Sequence, residues 1–382
     1  MFPPLRVFQG HNNSGGGAVM SNGMTETTVT REGPLSQIGS SVKGMFVGLI
    51  CFIAAFPVLY CGATRVIWHK VFKNAVAVEQ AKAGVPVYVT GVTTADKIGD
   101  PPNVAVGNYL KISRTPQVYA WVEHVKEESK TEREGVGTKK TTTTKTYSYA
   151  LEWTSDPKPI SSFKQDKWQE FCHTNNIDPN VQNPVLEEKA ESIYAPNCQV
   201  KGYAVNVKEV EFYSGSQDMG SKYVKGAPGA PKLGDKRINY SAYPSNVEYT
   251  FIGKLSEKSI VPYHEKTESK LAAGVGSFEA LLQNIKSEDQ LKGILFFIGG
   301  LLLMAIGLNG LVGPITTLLD FIPFLGQMGA GLIRIVLTII ALIIATVFYW
   351  AIKLWWLWLI LIAVIAVVII VLKKRKAAAA SA

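Results

Sequence analysis

Cys172 and His173 form the one adjacent thiol–imidazole pair in the chain. A cysteine nucleophile needs a base within hydrogen-bond reach, whereas neighbouring residues on a helix or strand point apart. The other histidines, His11, His69, His124 and His264, are scattered, and no two stand four apart as metal ligands on a helix face. Cys172 and Cys198 fit either a bridge in an oxidising lumen or two free thiols, and neither they nor Cys51 and Cys61 have zinc-ligand spacing. Glu187, Glu188 and Glu191 read as a solvated acidic face. The Gly135–Lys140 stretch lacks the spacing of a phosphate loop, and no GxSxG elbow or HExxH helix is present. The expectation is therefore a non-enzyme with no catalytic residue, no metal site and no cofactor. Asp320 is the ionisable group that stands out, because a carboxylate among apolar residues is expensive. It reads either as an ion or proton site or as a helix cap at the interface.

What positions these groups is a set of apolar blocks too long and too uniformly apolar for soluble helices. Four spans are expected, one plus three, at 44–63, 294–313, 335–352 and 354–372. Gly44 with Gly48, and Gly307 with Gly310, offer small-residue surfaces for helix contact and self-association. An amphipathic helix over 276–293 enters the second span, with Phe278, Leu281, Leu282, Ile285 and Leu291 near helical spacing. The segment 314–334, broken by Pro314, Asp320 and Pro323, reads as interfacial or re-entrant. Trp350, Trp355, Trp356 and Trp358 place the Lys353 turn at a lipid–water boundary.

Residues 1–43 read as a disordered cytoplasmic tail, and 64–275 as a β-rich α+β domain. Strands are expected over 85–92, 109–112, 117–125, 147–153, 199–213 and 246–255, with a short helix over 163–176. The threonine-rich, charged stretch 126–146 reads as an exposed hairpin tip, and 226–234 as a loop. The net charge of +9 is interspersed with acids or gathered in the terminal basic run, so nucleic acid is not an expected partner; the lipid bilayer is.

The run Lys373-Lys374-Arg375-Lys376 marks 373–382 as a cytoplasmic tail, which puts the domain in the lumen; Arg65, Lys70 and Lys73 argue the other way. The sequon Asn239-Tyr240-Ser241 is then a glycosylation candidate, and the one at Asn12 is not.

Several motifs sit on this layout: Ser40-Ser41-Val42-Lys43-Gly44-Met45-Phe46-Val47-Gly48, Tyr119-Ala120-Trp121-Val122-Glu123, Tyr147-Ser148-Tyr149 with Glu152-Trp153, Gly234-Asp235-Lys236-Arg237, and Leu319-Asp320-Phe321-Ile322-Pro323. With the one-plus-three layout, they resemble the LUMA or transmembrane protein 43 family over about residues 35–376. The resemblance implies a multi-pass protein of the endoplasmic reticulum and inner nuclear membrane with a lumenal domain. It also implies a homo-oligomer that organises nuclear-envelope complexes with lamin- or emerin-type partners, and it carries over no catalytic residue. The chain departs from the family in its longer Gly/Asn-rich tail and its threonine-rich insert. The expected function is thus a non-enzymatic membrane scaffold; the alternative is a transporter or channel subunit using Asp320.

Overall fold

Alternation of β-branched and aromatic residues with polar ones builds two large sheets and a two-stranded one, which stand on three long apolar helices. The computed structural model describes residues 23–82, 84–133, 138–319 and 325–354. The chain runs through β1 (Met24–Glu32), α1 (Pro34–Thr64) and the short α2 (Trp68–Phe72). There follow β2 (Val76–Ala77), β3 (Val87–Thr94), β4 (Ile98–Asp100) and β5 (Val104–Gly107), then the long pair β6 (Tyr109–Arg133) and β7 (Lys139–Thr154). After α3 (Gln165–Asn175) come β8 (Glu191–Tyr194), β9 (Cys198–Val200), β10 (Tyr203–Val205), β11 (Val210–Phe212) and β12 (Gln217–Lys225). The domain ends with β13 (Lys236–Pro244), β14 (Glu248–Ser256), β15 (Ser259–Val261), β16 (Tyr263–Glu265) and β17 (Glu268–Val275). Then α4 (Phe278–Leu311), α5 (Gly313–Leu319) and α6 (Leu325–Lys353) complete the described chain.

Because β14 pairs with both β15 and β3, the strands β3, β14, β15, β10 and β9 close into a small barrel. Val87, Val89, Val200, Phe251 and Ile260 fill it. The second sheet has the order β1-β7-β6-β13-β12, with β8 on β6. On one of its faces Trp121 and Tyr149 pack under Trp168, Phe171 and Cys172 of α3. Trp168 Nε1 donates to Pro179 O at 3.1 Å, so the buried indole is satisfied.

α1, α4 and α6 are long and apolar enough to cross a membrane. α1 and α4 run antiparallel at backbone distance. A Cβ on Gly48 would meet Gly310 Cα at 2.8 Å, and one on Gly307 would meet Phe52 N at 2.6 Å. Only glycine permits that approach. α6 closes the layer through Phe348 against Phe56, ring centroids 4.9 Å apart, and through buried Ala341 and Ala345.

The structure departs from the sequence reading at several places. Residues 24–32 are not a disordered tail but β1, a strand of the domain's own sheet, Met24 opposite Tyr147 and Glu32 opposite Lys139. The segment is polar and its partner lies more than a hundred residues away, so local hydrophobicity gives no sign of it. The stretch 276–293 and the second span are one unbroken helix, whose amphipathic part docks on the barrel. Within 314–334, α5 and the first turns of α6 are regular helix on either side of residues 320–324. The strands expected at 109–112 and 117–125 are one strand of 25 residues, and 199–213 divides into β9, β10 and β11. Asp320, residues 355–372 of the fourth span, Trp355, Trp356, Trp358, the basic run at 373–376 and Asn12 lie outside the described residues.

Candidate functional site at the domain–membrane junction

Of the residues singled out for chemistry, Cys172 and His173 do not meet. Cys172 is buried under the sheet while His173 is exposed, and burial pushes the Cys172 thiol up to about 11. A thiol held that far above its ordinary range is a poor nucleophile. Cys198 lies in the barrel core, likewise pushed up to about 11 by burial, and all four cysteines are free. The bridged alternative for Cys172 and Cys198 is thus not the one adopted: the two thiols belong to separate cores. Glu188 pairs with Lys236 at 3.4 Å and Glu191 with Arg114, so the acidic face is solvated and paired outward. Asn239 is half-buried in β13; its amide donates to Gln117 Oε1 at 3.0 Å and accepts from Ser221 Oγ at 2.6 Å. A glycan on that nitrogen has to be attached before the sheet closes.

Gly48, Gly307 and Gly310 make the α1–α4 contact inside one chain, so they are occupied and do not form a self-association surface. A Cβ at Gly44 would meet nothing within 4 Å, although the Gly44 carbonyl lies against Gly310. Asn309 Nδ2 donates to Ala305 O and Thr338 Oγ1 to Arg334 O, each within its own helix. The motif residues of the second sheet share one face: Tyr119 lies against Trp153 at 5.3 Å, and the Arg237 guanidinium covers Trp153 at 4.4 Å. Glu123 accepts from Tyr149 Oη at 2.9 Å and from Lys164 N at 2.8 Å. These are packing and ladder roles.

The described residues whose arrangement goes beyond packing lie where the domain meets the helices. α4 enters from the barrel floor, with Leu281 and Ile285 buried against Ile252 and Ala272, and with Phe278 stacked on Tyr88 at 4.3 Å. One turn on, Asp289 is 5% exposed, and its Oδ2 accepts the His69 backbone N–H at 2.7 Å. The Arg65 guanidinium donates to the Asp289 carbonyl, which ties the end of α1 to α4. Beside them Lys270, 7% exposed, reaches Glu288 and Glu211, both at 3.1 Å, and the Tyr213 hydroxyl. Burial first, then its hydrogen bond to Glu288, raises Tyr213 well above the usual phenol range. A buried ammonium is tolerable only with such partners, and the network fixes the angle between domain and helix.

Next to this network is a cavity of about 740 Å3 between α4, the end of α6 and the α1–α2 turn. Arg65, His69, Lys70, Lys286 and Lys353 line it together with Ile294, Phe297, Tyr349 and Trp350. Lys353 Nζ lies over the Tyr349 ring at 4.5 Å. Arg65 and Lys70 were noted in the sequence for charge asymmetry alone, and Asp289, Lys270 and Glu288 were missed. A signal existed for Asp289: it continues the 281, 285, 289 stripe, so a carboxylate stands on the buried face of an amphipathic helix.

Apolar helices set on a β-rich domain, locked to it by a buried charge network, define a membrane protein with transmembrane helices and a large extramembrane domain. The family model described as Transmembrane protein 43 matches residues 190–360, which takes in the last strands of the domain, α4, α5 and α6. Transmembrane protein 43 of Rattus norvegicus is 22% identical over 341 residues, covering 78% of this chain and 80% of the relative. That of Mus musculus is 22% identical over 346 residues with the same coverage. The chain is thus similar to the transmembrane protein 43 family, the family that its motifs resemble. No solved structure matches it.

Proposed function

We propose that the protein is a non-enzymatic scaffold of the endoplasmic reticulum and inner nuclear membrane, with its β-rich domain in the lumen and nuclear-envelope membrane proteins as partners. The observation that carries this reading is the continuity of α4. One helix of 34 residues, about 50 Å long, runs from the barrel floor into the membrane layer without a break. The domain and the helices therefore move as one body, as an assembly platform requires. Self-association falls to the outer faces of the helices, where Phe46, Ile50 and Ile53 of α1 are exposed.

Proximity labelling from a ligase fused to the domain of the full-length protein tests the proposal. Enrichment of inner-nuclear-membrane proteins over bulk reticulum proteins is expected; a profile indistinguishable from a generic reticulum membrane protein overturns it. A glycan at Asn239 supports the lumenal placement, and one at Asn12 overturns it if residues 24–32 lie across the membrane from the domain.

A further inference from the structure

We propose that the junction cavity binds the phosphate headgroup of an anionic glycerophospholipid. Its level is set by three independent helix ends. The apolar part of α1 stops before Arg65, that of α4 begins after Gly293, and α6 ends at Lys353. All three of these residues line the one cavity, which therefore opens at the surface of the bilayer.

The chemistry of the wall matches a headgroup with chains attached. Among the described residues of the lining, four cations, Arg65, Lys70, Lys286 and Lys353, stand with one carboxylate, Asp289, and that carboxylate already holds the His69 backbone. Among the described residues Lys70, Lys286 and Lys353 make no ion pair, in contrast to Lys270 and Lys292 next door. Ile294, Phe297 and Trp350 of the same lining offer an apolar track for acyl chains, which a soluble phosphate does not need. The inference goes beyond the scaffold reading and does not depend on which proteins the domain meets.

The test uses the full-length protein purified in dodecyl maltoside. Thermal unfolding is followed with dihexanoyl phosphatidylglycerol, dihexanoyl phosphatidylcholine or inorganic phosphate, and co-purified lipid is identified by native mass spectrometry. A saturable rise in Tm with the glycerol lipid alone is expected, with an anionic phospholipid retained at one copy per cavity. The double variant K286Q/K353Q should weaken the apparent affinity roughly thirtyfold. If that pair lowers the Tm in phosphatidylcholine, K70Q, on an exposed side chain, serves in its place with a roughly fivefold loss expected. Equal shifts by the two lipids, or unchanged binding by the variant that keeps its Tm, overturn the proposal. An equal shift by inorganic phosphate overturns the lipid assignment in favour of a free-anion site. Failure here with an unchanged proximity profile leaves the scaffold reading standing.

Discussion

The α1–α4 pair and the β6–β7 ribbon are the two longest contacts in the molecule, and opposite physics holds them. Along α1 and α4 the backbones touch: Gly48 lies on Gly310, Phe52 on Gly307 and Leu59 on Gly300. The contacts are buried or half-buried and specific to shape, so few substitutions are tolerated. The outer ribbon has no such core. Beyond the α3 cluster it consists of ladder hydrogen bonds and exposed pairs, such as Ser129 with Thr143 at 3.0 Å and Thr131 with Thr141 at 3.1 Å. Its ion pairs, Lys126–Glu128 and Lys130–Glu132, link exposed side chains along one strand and contribute little. Shape holds the helices, whereas hydrogen-bonding pattern holds the ribbon.

The sharpest way to break the helix side is Gly307→Leu. The new Cβ would stand 2.6 Å from Phe52 N and 2.7 Å from Phe52 Cα, both backbone atoms that cannot swing aside. Overpacking of about 3 kcal/mol or more is expected, seen as aggregation on size exclusion in detergent and rapid tryptic cleavage. Gly44→Leu is the control, because its Cβ would meet nothing within 4 Å, and it should elute as the wild type does. If G307L also behaves as wild type, α1 and α4 do not pack as described.

A smaller effect is expected at the joint between the two regions. Lys270→Met keeps the buried volume but leaves Glu288 and Glu211 without their shared cation. Glu211 is 47% exposed and recovers water, so the loss should fall near the lower end for a broken buried pair, about 3 kcal/mol. Hydrogen exchange should then rise in β17 and the first turns of α4 while the α3 core stays protected. Uniform exchange across the domain would show that the network does not fix the joint.

How much of this was legible follows the same division. Residues read by local pattern came through: the alternation of Tyr147, Tyr149, Leu151 and Trp153 is β7, the 163–176 helix is α3, and the 226–234 loop is a loop. Leu281 and Ile285 are buried as their spacing requires. What failed depends on partners far away in sequence. The glycines were legible as contact residues but not as to which helix they contact, because a small-xxx-small surface fits an intramolecular neighbour as well as a second copy. Lys270 and Glu288 look like ordinary surface charges until β17 and α4 converge. The strand at 24–32 is the extreme case, since threonine-rich sequence becomes a strand only when an edge is offered to it.

That strand also gives the comparison its most consequential test, with almost no expected change in stability. From Val118 opposite Thr154 to Arg133 opposite Lys139, the ribbon extends about 50 Å at a strand's rise. α1, at 31 residues, is about 46 Å long. The ribbon therefore reaches the far end of α1, where β1 joins it directly before the helix begins. Its exposed Lys and Glu side chains cannot share the hydrocarbon with a crossing helix. Thr28 stands opposite Thr143, a pairing whose Cα separation of about 5 Å suits a disulfide. T28C/T143C in native membranes should cross-link under mild oxidation, seen as a gel shift reversed by reductant, with Tm changed by no more than a few degrees. Cross-linking places residues 24–32 in the domain's compartment, with both ends of α1 on one side. If no cross-link forms and an impermeant maleimide labels T28C from the cytoplasmic face of sealed microsomes, the ladder yields to the bilayer and residues 24–32 form a true cytoplasmic tail. The first outcome makes the ribbon the stronger constraint, and the second makes the helix pair the stronger.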